Sequence, residues 1–173
     1  MTFVRLMELG FLKFLISQNT DGLHRKSGIH PEKFAELHGN TNMEWCSKCK
    51  RKYMRDFRTR NNKSVHSHGT GRKCDDPKCR GELQDSIINF GENLPQSELE
   101  NGFLNAGKAD LCLSMGSSLR VTPAADMPLE VARNHKKLVI VNLQSTPLDK
   151  VAALRINGDC EKVSSLLMAK LGL

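Results

Sequence analysis

Asp110-Leu-Cys-Leu-Ser-Met-Gly-Ser-Ser118 and, after a helical stretch, Lys137-Leu-Val-Ile-Val-Asn-Leu-Gln144 are the two segments that decide the fold. Each is a short apolar run that ends on glycine, hydroxyl or amide residues, the pattern of a parallel strand buried on both faces. Phe14-Leu-Ile-Ser17 and Ser86-Ile-Ile-Asn-Phe90 read the same way. Between and after them, Gln96 to Lys108, Ala124 to His135 and Asp159 to Leu171 place apolar residues at helical intervals. The alternation predicts an α/β fold in which a parallel sheet with right-handed crossovers is covered by helices on both faces.

In such sheets ligands bind beyond the carboxyl ends of the strands. Three predicted ends carry Gln18-Asn19-Thr20-Asp21-Gly22, Gly116-Ser117-Ser118 and Asn142-Leu143-Gln144. Any one of these can be a strand-to-helix turn and nothing more. Three on one sheet edge point to a shared small-molecule crevice. Gly116 permits close backbone approach there, and the neighbouring amides and hydroxyls suit a ribose or a phosphate.

The 173 residues allow one domain with a small insert. Apolar residues make up 39% and charged residues 26%, the composition of a soluble globular chain. No stretch approaches about 18 uninterrupted apolar residues, so no membrane span is expected. The apolar start, Met1 to Ile16, holds Arg5, Glu8 and Lys13 and lacks a small-residue cleavage site, which argues against secretion and for an intracellular location. The sequon Asn62-Lys63-Ser64 has no meaning in that setting. The net charge of +7 is concentrated: Cys46 to Arg80 holds 12 basic and 3 acidic residues, a balance of +9 that leaves −2 for the remainder. Such an insert suggests an acidic or polyanionic partner, a nucleic acid or a nucleosome surface.

The same insert carries Cys46-x2-Cys49 and Cys74-x4-Cys79. Two short cysteine knuckles are the signature of a structural Zn²⁺, because each supplies two corners of a thiolate tetrahedron. Four thiolates leave no open coordination position, so the metal staples the module and does not react. His66 and His68, between the knuckles, could replace a thiolate; with four cysteines present they read as exposed loop residues. Cys112, inside an apolar strand, reads as an inert buried thiol. Cys160 opens the last helix near the sheet edge and can meet a ligand through its backbone. The chain thus divides into 1–45 with 81–173 as the sheet domain and 46–80 as the zinc-binding insert.

His38, flanked by Gly39, lies close in sequence to the polar strand ends, and an imidazole near neutrality suits a general base. Here the order of motifs becomes recognisable. Gln18-Asn19-Thr20-Asp21-Gly22-Leu23-His24, Glu36-Leu37-His38-Gly39-Asn40, the paired cysteines, Phe90-Gly91-Glu92, Gly116-Ser117-Ser118-Leu119 and Val141-Asn142-Leu143-Gln144 together resemble the sirtuin family. The likeness runs from about Phe11 to Leu173. Val139 to Gln144 and Leu154-Arg-Ile-Asn-Gly-Asp159 look most like the nuclear, chromatin-associated branch that holds sirtuin 6 and sirtuin 7.

The resemblance implies a Rossmann-like sheet and an NAD-dependent protein-lysine deacylase that releases nicotinamide and O-acyl-ADP-ribose. It implies that His38 deprotonates a ribose hydroxyl and that Gln18, Asn19 and Asp21 line the nicotinamide and ribose pocket. Gly116, Ser117 and Ser118 then meet the ribose and phosphates, and Asn142, Leu143, Gln144 and Cys160 border the adenosine end. An acyl-lysine protein substrate, a histone or another chromatin protein, adds as a strand between Phe90-Gly91-Glu92 and the segment Ser118-Leu119-Arg120-Val121.

The Gly-Ala-Gly-x-Ser loop with which sirtuins begin has no match, because Met1 to Gly10 is too short to hold it. On that ground weaker NAD binding and an exposed sheet edge are expected. Two other functions compete: a zinc-stabilised chromatin or nucleic-acid binding module, and ADP-ribosyl transfer to protein.

Overall fold

The computed structural model describes every residue except Asn62 and Lys63, so those two positions of the sequon lie outside the described residues. The chain forms two compact units, Leu15–Glu98 and Met1–Phe14 with Leu99–Leu173.

The second of these holds the parallel sheet expected from the two deciding segments. Strands β7 (Leu111–Met115), β8 (Lys137–Val141) and β9 (Leu154–Ile156) run parallel in that order. Leu138, Ile140 and Val141 of β8 are fully buried. With Leu119, Ala125 and Leu148, Leu138 and Ile140 form a core against which Cys112 and Leu129 pack. Burial pushes the Cys112 thiol up to about 11, so it stays protonated. Helix α3 (Gln96–Lys108) has the bounds read from its periodicity, although its first turn belongs to the other unit. Helix α4 (Asp126–Arg133) buries Met127 and Val131, and α5 (Cys160–Lys170) is capped by Asp159, whose carboxylate accepts from the Lys162 N–H at 3.0 Å. Helix α1 (Thr2–Glu8) precedes them.

The Leu15–Glu98 unit contains two sheets. Strand β1 (Leu15–Ser17) pairs in parallel with β2 (Phe34–Glu36), with the short helix α2 (Leu23–Lys26) between them in sequence. The second sheet is antiparallel, in the order β4 (Lys52–Met54), β3 (Met43–Cys46), β6 (Glu82–Asp85), β5 (Gly69–Lys73). The expected strand Ser86–Phe90 is therefore absent: the strand lies just before it, in the antiparallel sheet. Ser86 Oγ and the Ile88 N–H bond to the loop that carries His38, while the Ser86 N–H donates to the Met43 carbonyl at 3.2 Å and the Ile87 N–H to Asp85 Oδ1 at 3.0 Å, so the regular strand stops at Asp85.

A polar centre holds the antiparallel sheet. Glu44 of β3 is fully buried, and its carboxylate accepts from Arg55 Nε and Arg72 Nε, each at 2.8 Å. Burial works against the charged carboxylate, and the two guanidinium groups outweigh it, so Glu44 stays ionised below its usual range. Removing one member of such a group leaves buried charge uncompensated. Glu44→Ala is expected to destabilise this unit by about 3–5 kcal/mol, read as a lower urea midpoint at unchanged slope. A loss below about 1 kcal/mol would mean that water compensates the arginines instead.

Candidate functional site

The parallel pairing of β1 and β2 brings their carboxyl ends to the same edge, so Gln18 and His38 become neighbours. His38 Nδ1 lies 3.0 Å from the Gln18 carbonyl oxygen. A carbonyl only accepts, so Nδ1 carries the proton and Nε2 keeps its lone pair. A half-buried imidazole in that tautomer has the chemistry a general base needs, with its basic nitrogen fixed in direction.

The backbone behind it is clamped. Gly39 has φ +79° and sits so close to Ser86 that a Cβ would stand 1.8 Å from the Ser86 carbonyl oxygen. No other residue fits there. Ser86 Oγ accepts from the Asn40 N–H at 3.0 Å and donates to the Asn40 carbonyl at 2.9 Å, while the Ile88 N–H donates to the His38 carbonyl at 3.1 Å. Asn40 Nδ2 also donates to Glu36 Oε1 at 2.6 Å, and Glu36 pairs with Arg25. The strand ends at Glu36 and the chain turns there, the Gly39 N–H donating to the Glu36 carbonyl at 3.2 Å, which folds Asn40 back onto Glu36. Reading the sequence assigned no function to Arg25, Glu36, Asn40 or Ser86.

Of the other residues after β1, Asn19 is exposed and its N–H donates to Ser17 Oγ at 3.0 Å. Asp21 is exposed, and its Oδ1 accepts from the Leu23 N–H at 2.9 Å to start α2.

In the other unit, the carboxyl ends of β7, β8 and β9 meet at one edge. The Gly116 N–H donates to the Val141 carbonyl at 2.9 Å and the Asn142 N–H to the Ile156 carbonyl at 3.1 Å. Gly116 has φ +66°, and a Cβ there would stand 3.5 Å from Cys160 Sγ. Gly116, Asn142 and Cys160 are thus brought together at this edge. Ser118, Leu143 and Gln144 are exposed beside them, with Ser117 half-buried. Asn142 Nδ2 and Arg155 Nη2 both donate to the Gln144 carbonyl, at 2.9 and 2.8 Å, and Asp149 pairs with Arg155. Arg155 and Asp149 therefore fix the loop after β8, a role that the sequence did not reveal.

The four cysteines converge. Their sulfurs all lie within 4.8 Å of one another, with Cys46 to Cys79 at 3.6 Å and Cys49 to Cys74 at 3.7 Å. A tetrahedral zinc with Zn–S bonds of about 2.3 Å requires sulfur–sulfur edges of about 3.8 Å, whereas a disulfide requires about 2.05 Å. The donor set fits one structural Zn²⁺. The Cys49 N–H, 3.4 Å from Cys46 Sγ, leads the interactions that lower the Cys46 thiol, while the neighbouring sulfurs push Cys49 up, so the first negative charge of the cluster falls on Cys46.

Comparison with known proteins then settles the family. The Sir2 family profile matches residues 2–123. The chain belongs to the Sir2 family. It is 43% identical over 173 residues to the NAD-dependent protein deacetylase SRT1 of Arabidopsis thaliana, covering 100% of this chain and 36% of that protein. Against the NAD-dependent protein deacetylase sirtuin-7 of Homo sapiens it is 40% identical over 181 residues, covering 100% of this chain and 45% of the relative. It thus spans less than half the length of either. A solved structure of a Sir2 protein with a p53 peptide and NAD+ superimposes with a TM-score of 0.78 at 37% identity, over 99% of this chain and 68% of that one.

The segments that resemble the peptide-binding parts of this family are placed unequally. Phe90 is 89% exposed and Gly91 is exposed. Arg120 and Val121 are exposed, whereas the Leu119 side chain is buried in the core, so only its backbone can meet a ligand. Glu92 is half-buried and engaged: Oε2 accepts from the Asn89 N–H at 2.7 Å, and Oε1 faces His66 Nδ1 and His68 Nε2 at 2.7 and 2.9 Å. The two histidines expected to be exposed loop residues thus have a carboxylate partner, and His68 is half-buried. About half of the described cations in the positive insert of this Sir2-family chain are also paired. Besides the Glu44 cluster, Arg55 pairs with Asp75, Arg51 with Asp76, Lys73 with Glu82 and Lys52 with Glu98. Among the described residues, no helix is long and apolar enough to cross a membrane.

Proposed function

We propose that this chain carries the site of an NAD-dependent protein-lysine deacylase, acting on histones or other chromatin proteins in the nucleus. The supporting observation is the His38 imidazole, whose Nδ1 is committed to the Gln18 carbonyl and whose Nε2 is left as a base at the end of two parallel strands. The family match and the names of the relatives support the same reading.

In this reading Gln18, Asn19 and Asp21 take the nicotinamide and its ribose. Gly116, Ser117 and Ser118 take the ribose and phosphates, and Asn142, Leu143, Gln144 and Cys160 take the adenosine end. Bound NAD supplies the electrophilic ribose carbon that carries nicotinamide and receives the acyl group. His38 Nε2 accepts a proton from a ribose hydroxyl, and its Nδ1–H···O bond stabilises the imidazolium that forms. Phe90, Gly91, Glu92, Arg120, Val121 and the Leu119 backbone border the acyl-lysine peptide. The sheet domain is 1–45 with 81–173, and 46–80 is the zinc-binding insert. The test is incubation with NAD and an acetyl-lysine peptide. Nicotinamide and O-acetyl-ADP-ribose in equal amounts are expected; ADP-ribose attached to protein with no lysine product would instead assign ADP-ribosyl transfer.

A second reading, contact with a nucleic acid or nucleosome, rests on the cations that have no carboxylate partner among the described residues. Lys48, Lys78 and Arg80 lie within or beside the cysteine knuckles, and Lys50 rests over the Trp45 ring at 4.8 Å. Binding through four phosphate contacts would lose roughly two orders of magnitude or more in affinity between 50 and 200 mM salt. A salt-independent isotherm would remove this reading.

A further inference from the structure

His68 lies between two carboxylates. Its Nδ1 is 3.3 Å from Asp85 Oδ1, and its Nε2 is 2.9 Å from Glu92 Oε1. A neutral imidazole has one N–H, so one of these contacts would set a lone pair against a carboxylate; only the imidazolium donates both bonds. The Asp85 side chain is 1% exposed, its N–H donates to the His68 carbonyl at 2.8 Å, and its Oδ1 accepts from the Ile87 N–H at 3.0 Å. Asp85 ends β6 and is thus a fixed point of the zinc module's sheet.

The far end of the bridge is a loop. Glu92 closes the turn Asn89–Glu92, its N–H donating to the Asn89 carbonyl at 3.1 Å and its carboxylate accepting from the Asn89 N–H. Arg60 lies 3.9 Å from Asp85 Oδ2, and its Nη1 donates to Asn89 Oδ1 at 3.0 Å. The groups that face this cluster are therefore Asp85 and Glu92 on one side of the charge balance, and Arg60, His68 and His66 on the other. Between the anchored ends, Phe90 stands out to solvent.

We propose that His68 is a positioning residue for peptide binding: its imidazolium bridges Asp85 to Glu92 and fastens the Phe90-Gly91-Glu92 loop to the zinc module's sheet. The inference rests on the reading that this loop borders the acyl-lysine peptide. His66 supplies a second, more exposed contact to the same Glu92 oxygen.

The electrostatics agree with the geometry. Burial alone would lower the His68 pKa; the bonds to Glu92 and Asp85 outweigh it, and the net shift is upward. A raised histidine pKa contributes stability that is fully present below about 6.5 and is lost as pH rises through the higher folded value. Burial opposes the Glu92 charge, yet the Asn89 N–H and the two histidines hold its carboxyl far below the usual range, so the acid side does not break the bridge near neutrality. The loop is fastened while His68 is protonated and loosens as pH rises through its raised midpoint.

The experiment measures binding of a fluorescent acetyl-lysine peptide to the zinc-loaded chain with NAD present, from pH 6 to 9. In the unsubstituted protein Kd is expected to rise about tenfold across that range. His68→Gln should bind at every pH with the weak, high-pH affinity. His66→Gln should keep the pH dependence. A His68→Gln curve that still varies with pH, or that matches the unsubstituted protein at pH 6, overturns the proposal. A second measurement needs neither peptide nor a folded variant: in nitrogen-15 spectra both His68 ring nitrogens should be protonated at pH 6.5, and the Phe90–Glu92 amides should shift with the imidazole's midpoint above 6.5. Loop amides indifferent to that titration overturn it. Failure to bind peptide at any pH would overturn the deacylase reading, while the spectra still decide whether the bridge exists.

Discussion

The His38→Ala variant is expected to deacylate an acetyl-lysine peptide about 10²–10⁴-fold more slowly, the range for loss of a positioned general base. Zinc content and thermal midpoint should stay nearly unchanged. The side chain contributes one hydrogen bond, to the Gln18 carbonyl, whereas the loop itself is held by backbone groups of His38, Gly39 and Asn40 against Ser86 and Ile88. The loss should fall on kcat, with KM for the peptide little altered, because the proton transfer is made only in the transition state. Unimpaired turnover would remove His38 from the chemistry. Loss of zinc together with turnover would show that the imidazole serves the fold instead.

Removing the metal should have the other large effect. Chelation, or Cys74→Ala, is expected to abolish hydrogen-exchange protection in β3, β5 and β6, because the four sulfurs join the two knuckles that border these strands and apparent zinc binding energies in small modules are about 10–16 kcal/mol. Little else could replace that energy. The apolar cluster at the site is Leu83 packed with Cys46 and Cys74 and flanked by Tyr53, and Tyr53 Oη itself bonds to Cys74 Sγ at 3.0 Å. Deacylation should fall as well, although zinc has no open position for catalysis. Strand β6 leads directly into Ser86, and Ser86 is the clamp behind His38. Amides of β3 and β6 that remain protected after complete zinc removal, checked by metal analysis, would show that the arginine–Glu44 cluster holds the sheet unaided.

What the sequence made legible was whatever depends on local pattern. Leu111–Met115 and Lys137–Val141 are mostly apolar because they pair in a parallel sheet whose inner strand buries Leu138, Ile140 and Val141, and a run of that kind is visible in one dimension. The helix Gln96–Lys108 follows from its 3.6-residue period, and the zinc site from cysteine spacing that is itself local in each half. The His38 motif was readable through the ordered set of motifs, not through its chemistry, since one histidine beside a glycine carries no geometry.

The antiparallel strands escaped notice because their stability comes from thiolates and from a buried Glu44 shared by Arg55 and Arg72, so they lack the alternating apolar pattern that marks an ordinary strand. The same pairing ties about half of the described cations of a +9 segment into ion pairs. Ser86, Glu36 and Asp85 gained their roles from partners 46, 11 and 17 residues away. Pattern and spacing thus determined the parallel strands β7 and β8 and the four-cysteine site, because apolar runs, helical period and ligand count are short-range properties of a chain, and the ordered motifs gave the family by resemblance. Tertiary structure alone decided which nitrogen of His38 is free, where the positive charges are spent and what His68 holds, because a tautomer or an ion pair is set by the atoms that folding brings within 3 Å.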